Sequence, residues 1–147
     1  MRTTALLATT GVALLFATPA MAQRNFGEFL DMGATKVLKP EWDSVLPASI
    51  RALSAQGSNV TLEFARGGTL SGEIITKEGY KSRIKGTWTM DAGGKLCIFE
   101  TFEAFNNQSH QECGYRYRLN GNYYGTTTDS DRSAPVRNPL VPYQVKK

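Results

Sequence analysis

Histidine and cysteine are scarce in this sequence. His110 is the only histidine, and Cys97 and Cys113 are the only cysteines among 147 residues. A structural zinc site normally takes four ligands, so one histidine with two widely spaced cysteines gives no metal site, and no metal ion is expected. No credible nucleophile arrangement and no glycine-rich phosphate loop is visible. No catalytic residue and no cofactor is therefore assigned, and the chain is read as non-enzymatic. Past residue 22 there is no apolar run approaching the ~20 residues that cross a bilayer, so an integral membrane protein is not expected. Strong charge is missing as well. Lys and Arg number 17 against 13 Asp and Glu, a net +4. That is a mildly basic balance, unlike that of a nucleic-acid-binding protein.

The one long apolar run is at the start. Arg2 is followed by the apolar stretch Leu6–Ala17 and by Ala20-Met21-Ala22, a small-x-small cleavage pattern. This reads as a secretory signal peptide, residues 1–22, cut before Gln23. The run is short for a membrane anchor, and no cysteine stands at the cleavage site to take a lipid. Removing 22 of 147 residues leaves 125, one domain, and losing Arg2 lowers the net charge from +4 to +3. The address is periplasmic or secreted. In that setting two cysteines form one disulfide, Cys97–Cys113.

The stretch Gly86–Cys113 organises the rest. Before it, residues 23–57 form an N-terminal cap segment. Phe26, Phe29 and Leu30 suit one helical turn. Pro40 and Pro47 interrupt the chain beyond this turn. Pro47 is read as the first residue of a short helix over Ala48–Ala55, with Ile50 and Leu53 inward and Gly57 as its stop. Trp42 and Val45 are candidate anchors.

From Ser58 the period becomes two, and a β-region runs over 58–128. Val60, Leu62 and Phe64 alternate with polar neighbours, Gly67-Gly68 turn the chain, and Leu70, Gly72 and Ile74 alternate again. Folding about the turn pairs Phe64 with Leu70, Leu62 with Gly72 and Val60 with Ile74. In Tyr80–Met90, Tyr80, Ser82, Ile84, Gly86, Trp88 and Met90 form one face, and Lys81, Arg83, Lys85, Thr87 and Thr89 the other. One face is buried and one wet, as in an antiparallel sheet. Gly86 marks a bend or a place where a bulky neighbour packs.

Leu96–Glu103 and His110–Leu119 are the next strands. If Cys97 lies opposite Cys113, the hairpin centres on Phe105, and Cys97, Phe99, Cys113, Tyr115 and Tyr117 share a face. A cross-strand pair can place its β-carbons the required ~4 Å apart. Asn120-Gly121 is a type I′ turn signal that pairs Leu119 with Asn122 and Tyr117 with Tyr124. Residues 129–147 carry Pro135, Pro139 and Pro142 and read as an extended tail lying along a sheet edge. The fold class is mainly β. It is a six-stranded antiparallel up-and-down meander curled into a small partial or closed barrel, with short N-terminal helical segments.

Gly86-Thr87-Trp88, Gly94-Lys95-Leu96-Cys97, Cys113, Tyr123-Tyr124 and Asp129–Ala134 stand in an order that resembles a family of small exported alphaproteobacterial proteins known only as a domain of unknown function. The resemblance covers roughly Ile50–Val136. It implies an envelope address and the disulfide, and no catalytic residue. Gly86-Thr87-Trp88 is also similar to the Gly-x-Trp of lipocalin-like barrels. Theirs lies on the first strand; here it is on the third, and the chain is short for eight strands. Periplasmic protease inhibitors are likewise disulfide-bridged barrels, with an inhibitory N-terminal segment that Gln23–Leu30 would match by position only.

Several residue sets invite a functional reading. Tyr80, Trp88, Phe99, Tyr115 and Tyr117 could line an apolar pocket or simply fill the core, and the core reading is preferred because aromatic residues dominate a small β-core. Lys81, Arg83 and Lys85, with Arg116 and Arg118 on another strand, could form one face for an anionic partner, against the simpler reading of a solvated surface. His110 beside Glu112 could do acid–base work, and Glu100, Glu103 and Glu112 could gather at one hairpin end. A domain this small leaves little room for a substrate cleft. Asp129-Ser130-Asp131 reads as an acidic turn, lacking the glycine and distal glutamate of a calcium loop. The leading expectation is an exported binding or interaction module whose partner is an envelope component, protein or anionic glycan. The alternatives are a lipocalin-like small-molecule carrier and a periplasmic protease inhibitor.

Overall fold

The computed structural model describes residues 24–54, 56–137 and 144–146. The expected signal peptide lies outside them. In chain order the elements are α1 (Phe26–Asp31), β1 (Thr35–Lys36), α2 (Lys39–Val45), β2 (Ala48–Leu53), β3 (Asn59–Phe64), β4 (Thr69–Ile75), β5 (Lys81–Met90), β6 (Lys95–Phe102), β7 (Gln108–Leu119), β8 (Asn122–Thr126) and β9 (Gln144–Lys146). The seven longer strands, β2–β8, pair antiparallel with their sequence neighbours and curl into a half-barrel. Two short strands complete the edges. β9 pairs with β2, so residues 144–146 lie along a sheet edge. β1 pairs with Tyr117 and Arg118 of β7, on the edge that β6 leaves vacant past Tyr115.

The β3–β4 hairpin has the register its alternation demands, with Phe64 opposite Leu70, Leu62 opposite Gly72 and Val60 opposite Ile74. The Asn120-Gly121 turn has φ values of 51° and 79°, the two positive angles of a type I′ turn, and it sets Leu119 against Asn122. Cys97 lies directly opposite Cys113, and the two are bonded.

The segment before β3 departs from expectation. Residues 48–53 form strand β2, not the helix expected over Ala48–Ala55. Ile50 and Leu53 fit a helical spacing, but Ala48 and Ile50 fit a strand equally well. The free edge of β3 decides, because all six residues pair along it, Ala48 with Phe64 through Leu53 with Asn59. The sheet thus gains a seventh strand over the six expected. Helix α2 precedes it. Pro40 falls in its first turn and starts the helix rather than interrupting the chain, since a first-turn residue needs no amide hydrogen.

Two buried clusters result. The concave side of the half-barrel is filled by Trp42 of α2 and by Leu46, which follows the helix, packed with Ile50, Phe64, Ile84, Trp88 and neighbouring strand residues. Val45 packs at its margin. The second cluster lies on the convex side of β7 and β8, where α1 docks Phe26 and Phe29 against Tyr117 and Tyr124, each pair with ring centroids 4.7 Å apart. Asn25 caps α1 by accepting the Glu28 amide at 2.9 Å.

The sheet can curl because backbones come close where side chains are missing. A β-carbon at Gly72 would lie 2.2 Å from the Thr61 carbonyl oxygen, and one at Gly86 would lie 1.9 Å from that of Phe99. At Gly86 the close neighbour is main chain, not the bulky packing neighbour expected there.

Candidate functional site

Lys81, Arg83 and Lys85 project from the convex face of β5, and all three are exposed. Their surroundings are mixed in charge. Glu73 of β4 stands directly opposite Arg83, and Glu103 forms an ion pair with Lys85. That hydrogen bond to Lys85 holds the Glu103 carboxyl below its ordinary range, with Arg83 adding to the effect. Among the described residues Lys81 and Arg83 form no ion pair.

Arg116 and Arg118 do not join them. Lys85 pairs with Thr101 and Thr101 with Ser109, so the odd-numbered residues of β7 face the convex side and the even-numbered ones the concave side. Arg116 is buried there, and Arg118 Nε lies 3.1 Å from Glu41 Oε1 of α2. The expectation of one basic face across the two strands is corrected by this register.

The five aromatic residues are also divided. Cys97, Phe99, Cys113, Tyr115 and Tyr117 do share a face, as the hairpin register requires, but Trp88 is on the other. It pairs with Ile98, while Phe99 pairs with Thr87. Trp88 belongs to the concave core, its centroid 6.2 Å from that of Trp42 and 6.0 Å from that of Phe64, and its indole donates to the Ala65 carbonyl at 3.0 Å. Tyr117 is buried under α1 with Tyr115 packed beside it. Tyr80 precedes β5 and is 69 % exposed, and Phe99 is 47 % exposed. No single pocket gathers them, because this sheet buries apolar residues on both faces.

The carboxylates separate in the same way. On the concave side Glu100 stands opposite His110, with Oε2 to Nδ1 at 3.5 Å, and Glu112 forms an ion pair with Arg137. Burial raises the Glu100 carboxyl above its ordinary value, the His110 contact partly offsets this, and the charge of Glu112 adds to the rise. Glu103 is with Lys85 instead. In the acidic turn, Asp129 binds Lys36 at 2.7 Å, and Asp131 accepts from the Ser133 amide at 2.9 Å and from its hydroxyl at 2.7 Å. Both aspartates are engaged locally, and each carboxyl is held below its usual range, Asp129 chiefly by Lys36 and Asp131 by Ser133. Among the described residues no group of three or more His, Cys, Asp or Glu side chains is placed to hold a metal ion.

One surface goes beyond the residue sets expected from the sequence. Phe99 stands on the convex sheet between Thr87 and Gln111, beside a depression of about 110 Å3 lined in part by Thr89 and Cys97. The signal is present, since Leu96 and Ile98 alternate with it and take the inward positions. A second, more open depression of about 370 Å3 lies between α1 and Arg132. Arg132 there hydrogen-bonds Asp31 at 2.6 Å. Among the described residues no helix is long and apolar enough to cross a membrane. The chain matches no protein-family model, no curated protein and no solved structure.

Proposed function

We propose that the chain is an exported, non-enzymatic binding module of the cell envelope, periplasmic or secreted, and that it meets its partner with the convex face of β4–β7. One observation carries the reading. Lys81, Arg83 and Lys85 leave successive outward positions of a single strand, exposed, with Lys85 diagonal to Phe99, while the concave side is filled by α2 and its core. Export is supported by the apolar leader with its Ala20-Met21-Ala22 site and by the disulfide, a bond that persists in oxidising compartments. The acid–base candidates have structural engagements, His110 with Glu100 and Glu112 with Arg137.

The test is retention of the mature chain, from Gln23, on an immobilised polygalacturonate matrix across a salt gradient. Lys81→Glu/Arg83→Glu/Lys85→Glu should elute at much lower salt than wild type, since exposed charges act through a screened field. Lys39→Glu, on α2, should elute near wild type. Equal elution of the triple variant and wild type removes the convex face from the account.

A further inference from the structure

Four large apolar side chains are exposed among the described residues, and only Phe99 stands within a strand. Its neighbours across the sheet are polar and uncharged, and the Cys97–Cys113 bridge lies beside it on the same face. Thr87 and Gln111 lie directly across from it on β5 and β7, and Thr101 follows on β6. Among the described residues the side chains of Thr87, Thr89 and Gln111 make no hydrogen bond, so their hydroxyl and amide groups are open to a ligand. Lys85 is opposite Thr101, diagonal to the ring, and Arg83 and Lys81 continue the line along β5.

A single exposed ring flanked by the free hydroxyls of Thr87 and Thr89 and the free amide of Gln111 is a poor match for a protein partner, whose contact centre needs several desolvated anchors. It matches a sugar. A pyranose has an apolar C–H face that lies on an aromatic ring, where the electron-rich face attracts its hydrogens, and a rim of hydroxyls for threonine and glutamine. The cationic line extends the match to a sugar bearing carboxylates. Glu103 holds Lys85 only at the surface, where such pairs are weak and exchange readily.

We propose that the partner is an acidic polysaccharide, with one sugar ring stacked on Phe99 and its carboxylates directed to Lys85, Arg83 and Lys81. The inference rests on the convex face being the contact surface. Hexagalacturonate and a hexaglutamate peptide are the probes, measured by calorimetry against the mature chain at two salt concentrations. Phe99→Thr keeps a strand-forming residue at an exposed position, so the fold is retained. Hexagalacturonate should bind better than hexaglutamate. Phe99→Thr should weaken hexagalacturonate about tenfold or more with its salt dependence kept, and the triple charge reversal should abolish both the binding and the salt dependence. Hexagalacturonate binding that survives Phe99→Thr but not charge reversal overturns the stacked sugar and leaves the contact face standing. Preference for hexaglutamate does the same. Binding of neither probe at about 10 mM, or binding indifferent to both variants, overturns the inference and the contact face together.

Discussion

A β-carbon on Gly86 would sit 1.9 Å from the carbonyl oxygen of Phe99 on the neighbouring strand. Main chain occupies the space a side chain would need, so β5 or β6 must move if one is added. Gly86→Ala should therefore destabilise the fold by about 2–4 kcal/mol, the upper range for overpacking, because a sheet backbone yields less easily than a side-chain tip. Urea unfolding of variant and wild type measures it. A loss within ~0.5 kcal/mol would contradict this close approach of the two strands.

The Cys97–Cys113 bridge spans a sequence separation of 16 and ties β6 to β7. In the chain-entropy account a loop of this length contributes about 3 kcal/mol by restricting the unfolded chain. Cys97→Ala/Cys113→Ala should lose an amount of that order in urea unfolding. The strand pairing around it should remain, since it extends from Lys95–Tyr115 to Phe102–Gln108.

Glu100 gives stability a pH dependence of defined sign. Burial raises its carboxyl above the ordinary 4.5. Between that value and the raised one, the folded chain holds a proton that the unfolded chain has released. Stability contributed by this group therefore falls as pH rises through the window. Below it the carboxyl is neutral in both states, and above it the full penalty applies. Glu100→Gln should remove this fall and be at least as stable as wild type at neutral pH. Unfolding midpoints collected across the acid range test this, and an unchanged slope would remove Glu100 as its source.

Trp42 carries α2 into the half-barrel, 1 % exposed and edge-to-face with Phe64 at 5.2 Å. Trp42→Ala should cost about 3–5 kcal/mol, the range for emptying a large aromatic site. Trp42→Phe should cost less and leave Trp88 as the single indole. Its emission should then be that of a buried ring, as its 6 % exposure requires. Emission from a water-exposed indole would contradict its place in the core.

Local chemistry makes several parts of this fold legible. Glycine turns and strict alternation set the β3–β4 register, Asn120-Gly121 sets the β7–β8 turn, and the cysteines align β6 with β7. The parts that are not legible depend on distant partners. Ala48–Leu53 is too short for its spacing to separate strand from helix, and only the vacant edge of β3 settles it. Phe99 groups with Trp88 in the sequence because each is aromatic on an alternating strand, yet the β5–β6 pairing sets Trp88 against Ile98 and leaves Phe99 outward. The same pairing, carried on to β7, places Arg116 and Arg118 behind the sheet from Lys85. Tyr117 and Trp88 are both buried on opposite faces because α1 covers β7 and β8 from outside. Packing on both faces is not visible from one strand's pattern.

The contact face is tested most directly by amide chemical-shift mapping of the isotope-labelled mature chain titrated with polygalacturonate. Shifts are expected only at the convex positions Lys81, Arg83, Lys85, Thr87, Phe99 and Gln111. Shifts centred on α1 and Arg132, or on the concave residues Glu100, His110 and Arg118, would contradict it.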